Sequence, residues 1–137
     1  MKKSFVFATL AAILFTGCTG QPEITGNWTC SEIIIDGNLI TGAKAEIIIE
    51  QINKYDYTFR GNSGVNSLSG TVTVNKNIFK PWDNFASTKM MGEPVAQTFE
   101  DNFLICLMKA DSCKMEDENT IIIENSVTGN KLKLIKN

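Results

Sequence analysis

One window of this chain, Pro94 to Met108, repeats its apolar residues at helical spacing, while from Gly26 onward nearly everything else is short β-forming runs broken by turn residues. In the helical window Phe99, Phe103, Cys106 and Leu107 share one side, and Glu100, Asp101 and Asn102 fill the other. Pro94 suits a first helical position, where its missing N–H costs nothing. The acids near the start and Lys109 at the end agree with the helix dipole. Trp28 to Ile35 is rich in β-formers and stops at Asp36-Gly37-Asn38; its apolar parity switches near Glu32, which predicts a bulge there. Ala45 to Ile52 follows, then Tyr55 to Arg60, whose alternation puts Tyr55, Tyr57 and Phe59 on one face. Gly61 to Gly70 is too glycine-rich to be expected as regular structure. Thr71 to Val74 resumes a strand, and Ile78 to Met91 holds one or two more around Pro81. Ser112 to Met115, Thr120 to Glu124 and Lys131 to Ile135 read as a three-stranded meander. The expected fold is α+β and mostly antiparallel β: a small curled sheet or open barrel with a single packed α-helix.

The first residues read differently. Met1-Lys2-Lys3 is positive, Ser4 to Phe15 is almost wholly apolar, and Leu14-Phe15-Thr16-Gly17-Cys18 closes the run with a small residue before a cysteine. This is the pattern of a bacterial lipoprotein signal, cleaved between Gly17 and Cys18 with lipid added to the Cys18 thiol and amine. An uncleaved membrane helix needs about 20 apolar residues, and this run is shorter. Each buried CH₂ contributes about 0.8 kcal/mol, so two or more acyl chains anchor stably. The expected division is a signal peptide over 1–17, lipidated Cys18 and a polar tether over 18–25, and one domain over 26–137. Thr19 is not the Asp that commonly retains lipoproteins at the inner membrane, which, in a host that sorts by the enteric rule, favours the outer membrane facing the periplasm.

Cleavage removes Lys2 and Lys3, leaving 11 basic against 15 acidic residues. No face collects Lys or Arg, so nucleic-acid binding has no electrostatic basis. With no histidine in the chain and no Cys pair at ligand spacing, neither a metal nor another cofactor is expected. Cys30, Cys106 and Cys113 remain after Cys18 is acylated. Cys106 and Cys113 are near enough in sequence to form a disulfide across the helix end; Cys30 shares parity with Trp28 and reads as a buried apolar side chain.

The stretch from Phe59 to the C-terminus resembles the META-domain family of HslJ-like envelope lipoproteins. The resemblance rests on Gly61-Asn62-Ser63-Gly64-Val65-Asn66 with Ser69-Gly70, similar to the family's G-x-x-G-C-N-x-x-x-G, and on Thr88-Lys89-Met90, close to its T-x-M signature. Glu100 to Leu104 matches its Glu-x-x-Phe-Leu helix, Leu132 and Leu134 its terminal meander, and Trp28 its opening strand. Val65 and Gly92 stand where many members have Cys, and their joint loss fits two cysteines that normally pair. The resemblance implies a small twisted antiparallel sheet with one helix, and a link to envelope stress and tolerance of antibiotics such as novobiocin.

The glycine segment, with Gly61, Asn62, Gly64, Asn66 and Gly70, has two readings: a loop that admits a phosphate or peptide, or a tight crossover in which Asn66 bonds local backbone. No P-loop Lys-Ser/Thr follows it. Ser87, Thr88 and Lys89 lack any His or Ser-x-x-Lys partner and read as solvent-facing strand residues. Glu116-Asp117-Glu118 reads as a solvated turn, and Trp82 as either a partner contact or a lid on the core. No catalytic set is visible, so a non-catalytic, monomeric envelope module is expected, bound to a membrane through Cys18. Its expected partner is an envelope protein or an apolar ligand. The alternatives are a pilotin-like chaperone with an apolar groove beneath the helix, by analogy of fold, and an inhibitor of an envelope hydrolase.

Overall fold

The computed structural model describes residues 20–137; Cys18 and the leader, on which the anchoring expectation rests, lie outside the described residues. The strands are β1 (Gly26–Ile35), β2 (Asn38–Ile40), β3 (Ala45–Gln51), β4 (Asp56–Asn62), β5 (Ser67–Asn75), β6 (Ile78–Pro81) and β7 (Ala86–Ser87). The helix α1 (Pro94–Lys109) then precedes β8 (Ser112–Asp117), β9 (Thr120–Glu124) and β10 (Lys131–Lys136).

Eight strands pair antiparallel in the order β1-β3-β4-β5-β6-β8-β9-β10, and β10 returns to β1. The sheet is therefore a closed barrel, where a curled sheet or open barrel was expected. The chain ends close it: Leu132 opposes Ile33, Leu134 opposes Cys30 and Lys136 opposes Trp28. Closure joins the two ends of the sheet, β10 to β1. The narrowest seam is β6–β8, where Ile78 opposes Ser112 and the amides of Phe79 and Cys113 donate to Asp111 and Asn77 at 3.0 Å. The predicted bulge is present. Lys133 opposes Glu32 while Leu134 opposes Cys30, so Ser31 is the extra residue, and the buried set passes from Trp28 and Cys30 to Ile33.

An eight-stranded barrel is just wide enough for side chains to fill. Here Trp28, Tyr57, Phe59, Phe79, Phe99 and Phe103 do so, with Phe59 meeting Phe79 edge-on at 6.0 Å. Tyr55, expected on the same inward face as Tyr57 and Phe59, is partly exposed because β4 begins after it.

α1 lies across one mouth of the barrel. Val95 packs on Gly42, Phe99 and Glu100 on Gly64, and the Asn125 amide donates to the Lys109 carbonyl at 2.7 Å. Phe99, Phe103 and Leu107 are buried beneath the helix, where the pilotin-like alternative places an apolar groove. Lys109 is the basic residue of the last turn, but the first turn holds no acid.

The opposite mouth is framed by the chain's entry at Gly20, the turns at 52–55 and 76–77, and Asn119 against Lys136. The fold takes hold at Gln21, whose amide donates to Tyr57 Oη (3.0 Å) and the Val74 carbonyl (2.8 Å) while its oxygen accepts from the Lys76 amide (2.8 Å). Ile24 is fully buried and its carbonyl accepts from Trp28 Nε1 at 2.9 Å. The tether expected over 18–25 is thus shorter, because residues 21–25 belong to the folded unit.

Candidate functional site

The family-like motifs converge on one buried carboxylate. Glu100, placed on the solvent side of the helix by its sequence neighbours, is only 2% exposed. Its Oε1 accepts from Ser63 Oγ (2.6 Å), the Val65 amide (3.0 Å) and the Asn66 amide (2.6 Å). Its Oε2 accepts from Asn66 Nδ2 at 2.7 Å, with Gln97 Nε2 further off at 3.5 Å. Burial pushes this carboxyl up; the hydrogen bonds from Ser63, Asn66 and Val65 outweigh it and hold the acid below the usual glutamate range. The loop amides do form an anion-binding concavity, and the anion they bind is the protein's own.

Asn66 is the second hub. Its Oδ1 accepts from Thr88 Oγ1 (2.8 Å) and the Met90 amide (2.7 Å), and its Nδ2 also donates to the Met90 carbonyl (3.0 Å). Its backbone carbonyl accepts from both the amide (2.9 Å) and hydroxyl (3.1 Å) of Ser63. The expectation that Asn66 bonds local backbone is therefore half of its role. Its side chain ties the hairpin to a segment 24 residues away. Loop, T-x-M segment and helix start are one network.

The segment Gly61 to Gly70, expected to be irregular, is a hairpin. Gly61 and Asn62 end β4, Gly70 lies within β5, and only residues 63–66 form the turn. Its glycines serve close packing. A Cβ on Gly61 would lie 2.0 Å from the Glu46 carbonyl oxygen, and one on Gly70 2.3 Å from the Phe85 ring. A Cβ on Gly64 would lie 3.3 Å from both the Phe99 ring and the Glu100 Cβ, and Asn62 Oδ1 accepts from the Gly64 amide at 2.8 Å. Ser63 and Glu100 belong to the motifs that carry the family resemblance but are not among the candidate binding residues read from the sequence. The signal was available, since Glu100, Phe103 and Leu107 share the inward spacing of the helix.

Cys106 and Cys113, near enough in sequence for a disulfide, do not form one; Cys30, Cys106 and Cys113 are buried free thiols. Cys106 sits on the inward face of α1 and Cys113 inside β8, opposite Ile123. Burial pushes the thiols of Cys30 and Cys113 up to about 12 and that of Cys106 to about 11, so all three are protonated and weakly nucleophilic at neutral pH. Ser87 ends β7 opposite Leu68, and Lys89 is exposed beyond it. Trp82 is exposed on the barrel wall, its indole donating to Thr73 Oγ1 at 2.9 Å, and does not close the core. In the Glu116-Asp117-Glu118 turn the Asp117 carboxylate accepts from the Asn119 amide at 2.8 Å. Among the described residues no three His, Cys, Asp or Glu side chains are grouped to hold a metal ion.

Val65 and Gly92 are neighbours: a Cβ built on Gly92 falls 3.3 Å from the Val65 Cβ. A disulfide needs Cβ atoms about 3.5–4.5 Å apart, so small backbone shifts accommodate one. The double variant Val65→Cys/Gly92→Cys is expected to oxidise spontaneously and, in the loop-entropy account, to gain about 3.5 kcal/mol. Free-thiol counting under denaturing conditions checks the bond, and two extra reactive thiols in the oxidised protein would refute the geometry.

Comparison with known proteins agrees with this architecture. The family model described as META domain matches residues 21–137. An NMR structure of a protein from Burkholderia xenovorans superposes with a TM-score of 0.63 at 16% identity, covering 82% of this chain and 81% of that one, a likeness of fold. None of the curated proteins compared with the chain matches it significantly.

Proposed function

The chain belongs to the META-domain family, and from that premise we propose that it is a lipid-anchored, non-catalytic module of the cell envelope that serves stress or antibiotic tolerance by binding an envelope partner. One observation carries the non-catalytic part. The polar residues of the family-like motifs (Ser63, Asn66, Thr88 and Glu100) spend their hydrogen-bonding capacity on one another, with Glu100 and Asn66 buried. A catalytic carboxylate needs an oxygen within reach of a substrate proton, and both Glu100 oxygens are already engaged. The anchoring part rests on Leu14 to Cys18 and the apolar run before them.

The test is Cys18→Ser in the full chain. The variant is expected to leave the membrane fraction or remain unprocessed, and to lose lipid labelling. Normal fractionation with label retained would refute anchoring at Cys18. Crosslinking of the lipidated protein in cells should then trap a defined envelope partner, whereas turnover of a hydrolysable substrate, lost on Glu100→Gln without unfolding, would refute the non-catalytic reading.

A further inference from the structure

We propose that the barrel mouth opposite the helix is a bilayer-docking face, with the turn tips carrying Ile52, Tyr55, Lys54, Lys76 and Ile78 seated at the lipid headgroup level. The inference rests on the anchoring reading above and adds an orientation to it.

Chain length supplies the first argument. Gln21 is fixed to the barrel by three hydrogen bonds, to Tyr57, Val74 and Lys76. Only three Cα steps separate it from Cys18, at most about 11 Å of extended chain. The headgroup layer of one leaflet is itself about 5–8 Å thick. With acyl chains on Cys18 in the hydrocarbon, the barrel has no slack to stand clear of the surface. The mouth that receives Gln21 must meet the headgroups.

The surface chemistry there supplies the second. Ile52, Tyr55 and Ile78 are 55%, 36% and 61% exposed on turns and strand ends around the point of entry. The turns are neighbours, since the Val74 amide donates to the Tyr55 carbonyl at 2.7 Å. Lys54 Nζ lies 5.3 Å from the Tyr55 ring centre, and the Lys76 stem packs 3.6 Å from where a Cβ on Gly20 would sit. Aliphatic tips, an amphipathic ring and lysines with apolar stems are what an interface between headgroups and acyl chains accommodates. The helix mouth also exposes apolar residues, Met90 and Met91 among them, so hydrophobicity alone does not choose between the ends. The entry point does.

The same mouth is asymmetric. Across it, Glu116, Asp117 and Glu118 border an open groove of about 900 Å³ that Gln21, Lys76, Met115 and Lys136 also line. On an anionic surface this acidic turn is repelled, tilting the barrel so that the 52–55 and 76–78 turns go down and the β8–β9 turn lifts.

The experiment uses the full lipidated protein reconstituted into phosphatidylethanolamine/phosphatidylglycerol vesicles. Single variants Ile52→Cys, Ile78→Cys and Val127→Cys are labelled with a fluorophore; Val127 lies at the helix mouth and is 88% exposed. Labelling is selective because Cys30, Cys106 and Cys113 are buried and Cys18 is acylated. Lipids carrying quenchers near the headgroup are expected to quench labels at 52 and 78 several-fold more than at 127. Equal quenching at all three positions, in protein that floats with the vesicles, overturns the docking face and leaves anchoring intact. Protein that neither carries lipid nor floats overturns both.

Discussion

Glu100→Gln is expected to destabilise the domain by about 3 kcal/mol at pH 7, near the upper range for a single substitution that keeps side-chain shape. The replacement is isosteric, so packing of the side-chain stem on Gly64 is unchanged and the loss is electrostatic. Glu100 Oε1 accepts from Ser63, Val65 and Asn66, while Oε2 accepts from Asn66 Nδ2. Gln offers one oxygen and one NH₂. Placed either way, its NH₂ points at a donor. Asn66 cannot relieve the conflict by flipping, because its Oδ1 is held by Thr88 Oγ1 and the Met90 amide. Urea unfolding of the two proteins with matched m-values measures the difference. A gap below about 1 kcal/mol would show that water replaces the carboxylate at little cost.

The pH dependence follows from the direction of the Glu100 shift. Its folded pKa lies below the ordinary glutamate value, so the folded state favours the ionised form. The stability it adds is complete above the unfolded value, about 4.3, and is lost as pH falls through the lower folded value. A protonated Glu100 has the same donor conflict as Gln. The gap between wild type and Glu100→Gln should therefore be constant from neutral pH to about 5, then narrow in acid.

Much of the barrel was legible because period-two alternation survives in its strands. Tyr57 and Phe59 point inward as their spacing requires, and the parity switch after Cys30 marked the bulge. The helix was legible from Phe99, Phe103 and Leu107. Closure was not, since alternation in Leu132 and Leu134 shows that a strand has a buried face and not that its neighbour lies about 100 residues earlier. Burial of Glu100 was hidden by local context. Between Phe99 and Asp101 it looks like part of a polar stripe, and only the hairpin's donors, 34 to 37 residues away in sequence, make its burial tolerable. The glycines misled for a related reason. Read along the chain they suggested an irregular loop, whereas Gly61 answers to β3, Gly64 to the helix and Gly70 to the Phe85 ring.

Gly61→Ala tests that last point and is expected to cost about 4 kcal/mol. Gly61 pairs with Ile47 across the β3–β4 ladder, and its φ of +151° is one that L side chains rarely adopt. A Cβ there would lie 2.0 Å from the Glu46 carbonyl oxygen and 3.1 Å from the Ile47 Cα, both backbone atoms of a central strand. Backbone strain contributes about 1–3 kcal/mol and forced overpacking about as much again. Gly37→Ala separates the two terms: its φ is +80° but nothing lies within 4 Å of the added carbon, so only strain remains, about 1–2 kcal/mol. Gly70→Ala should fall between, because the obstructing group is the Phe85 side chain, which can swing aside. The order Gly61, Gly70, Gly37 in urea midpoint is the expected result. Equal losses at 61 and 37 would mean that the strands part easily, and a Gly61→Ala protein of wild-type stability would return this glycine to the role of a ligand-admitting loop. With the expected order, Gly61 is present so that β3 and β4 can approach closely enough to deliver Ser63 and Asn66 to Glu100.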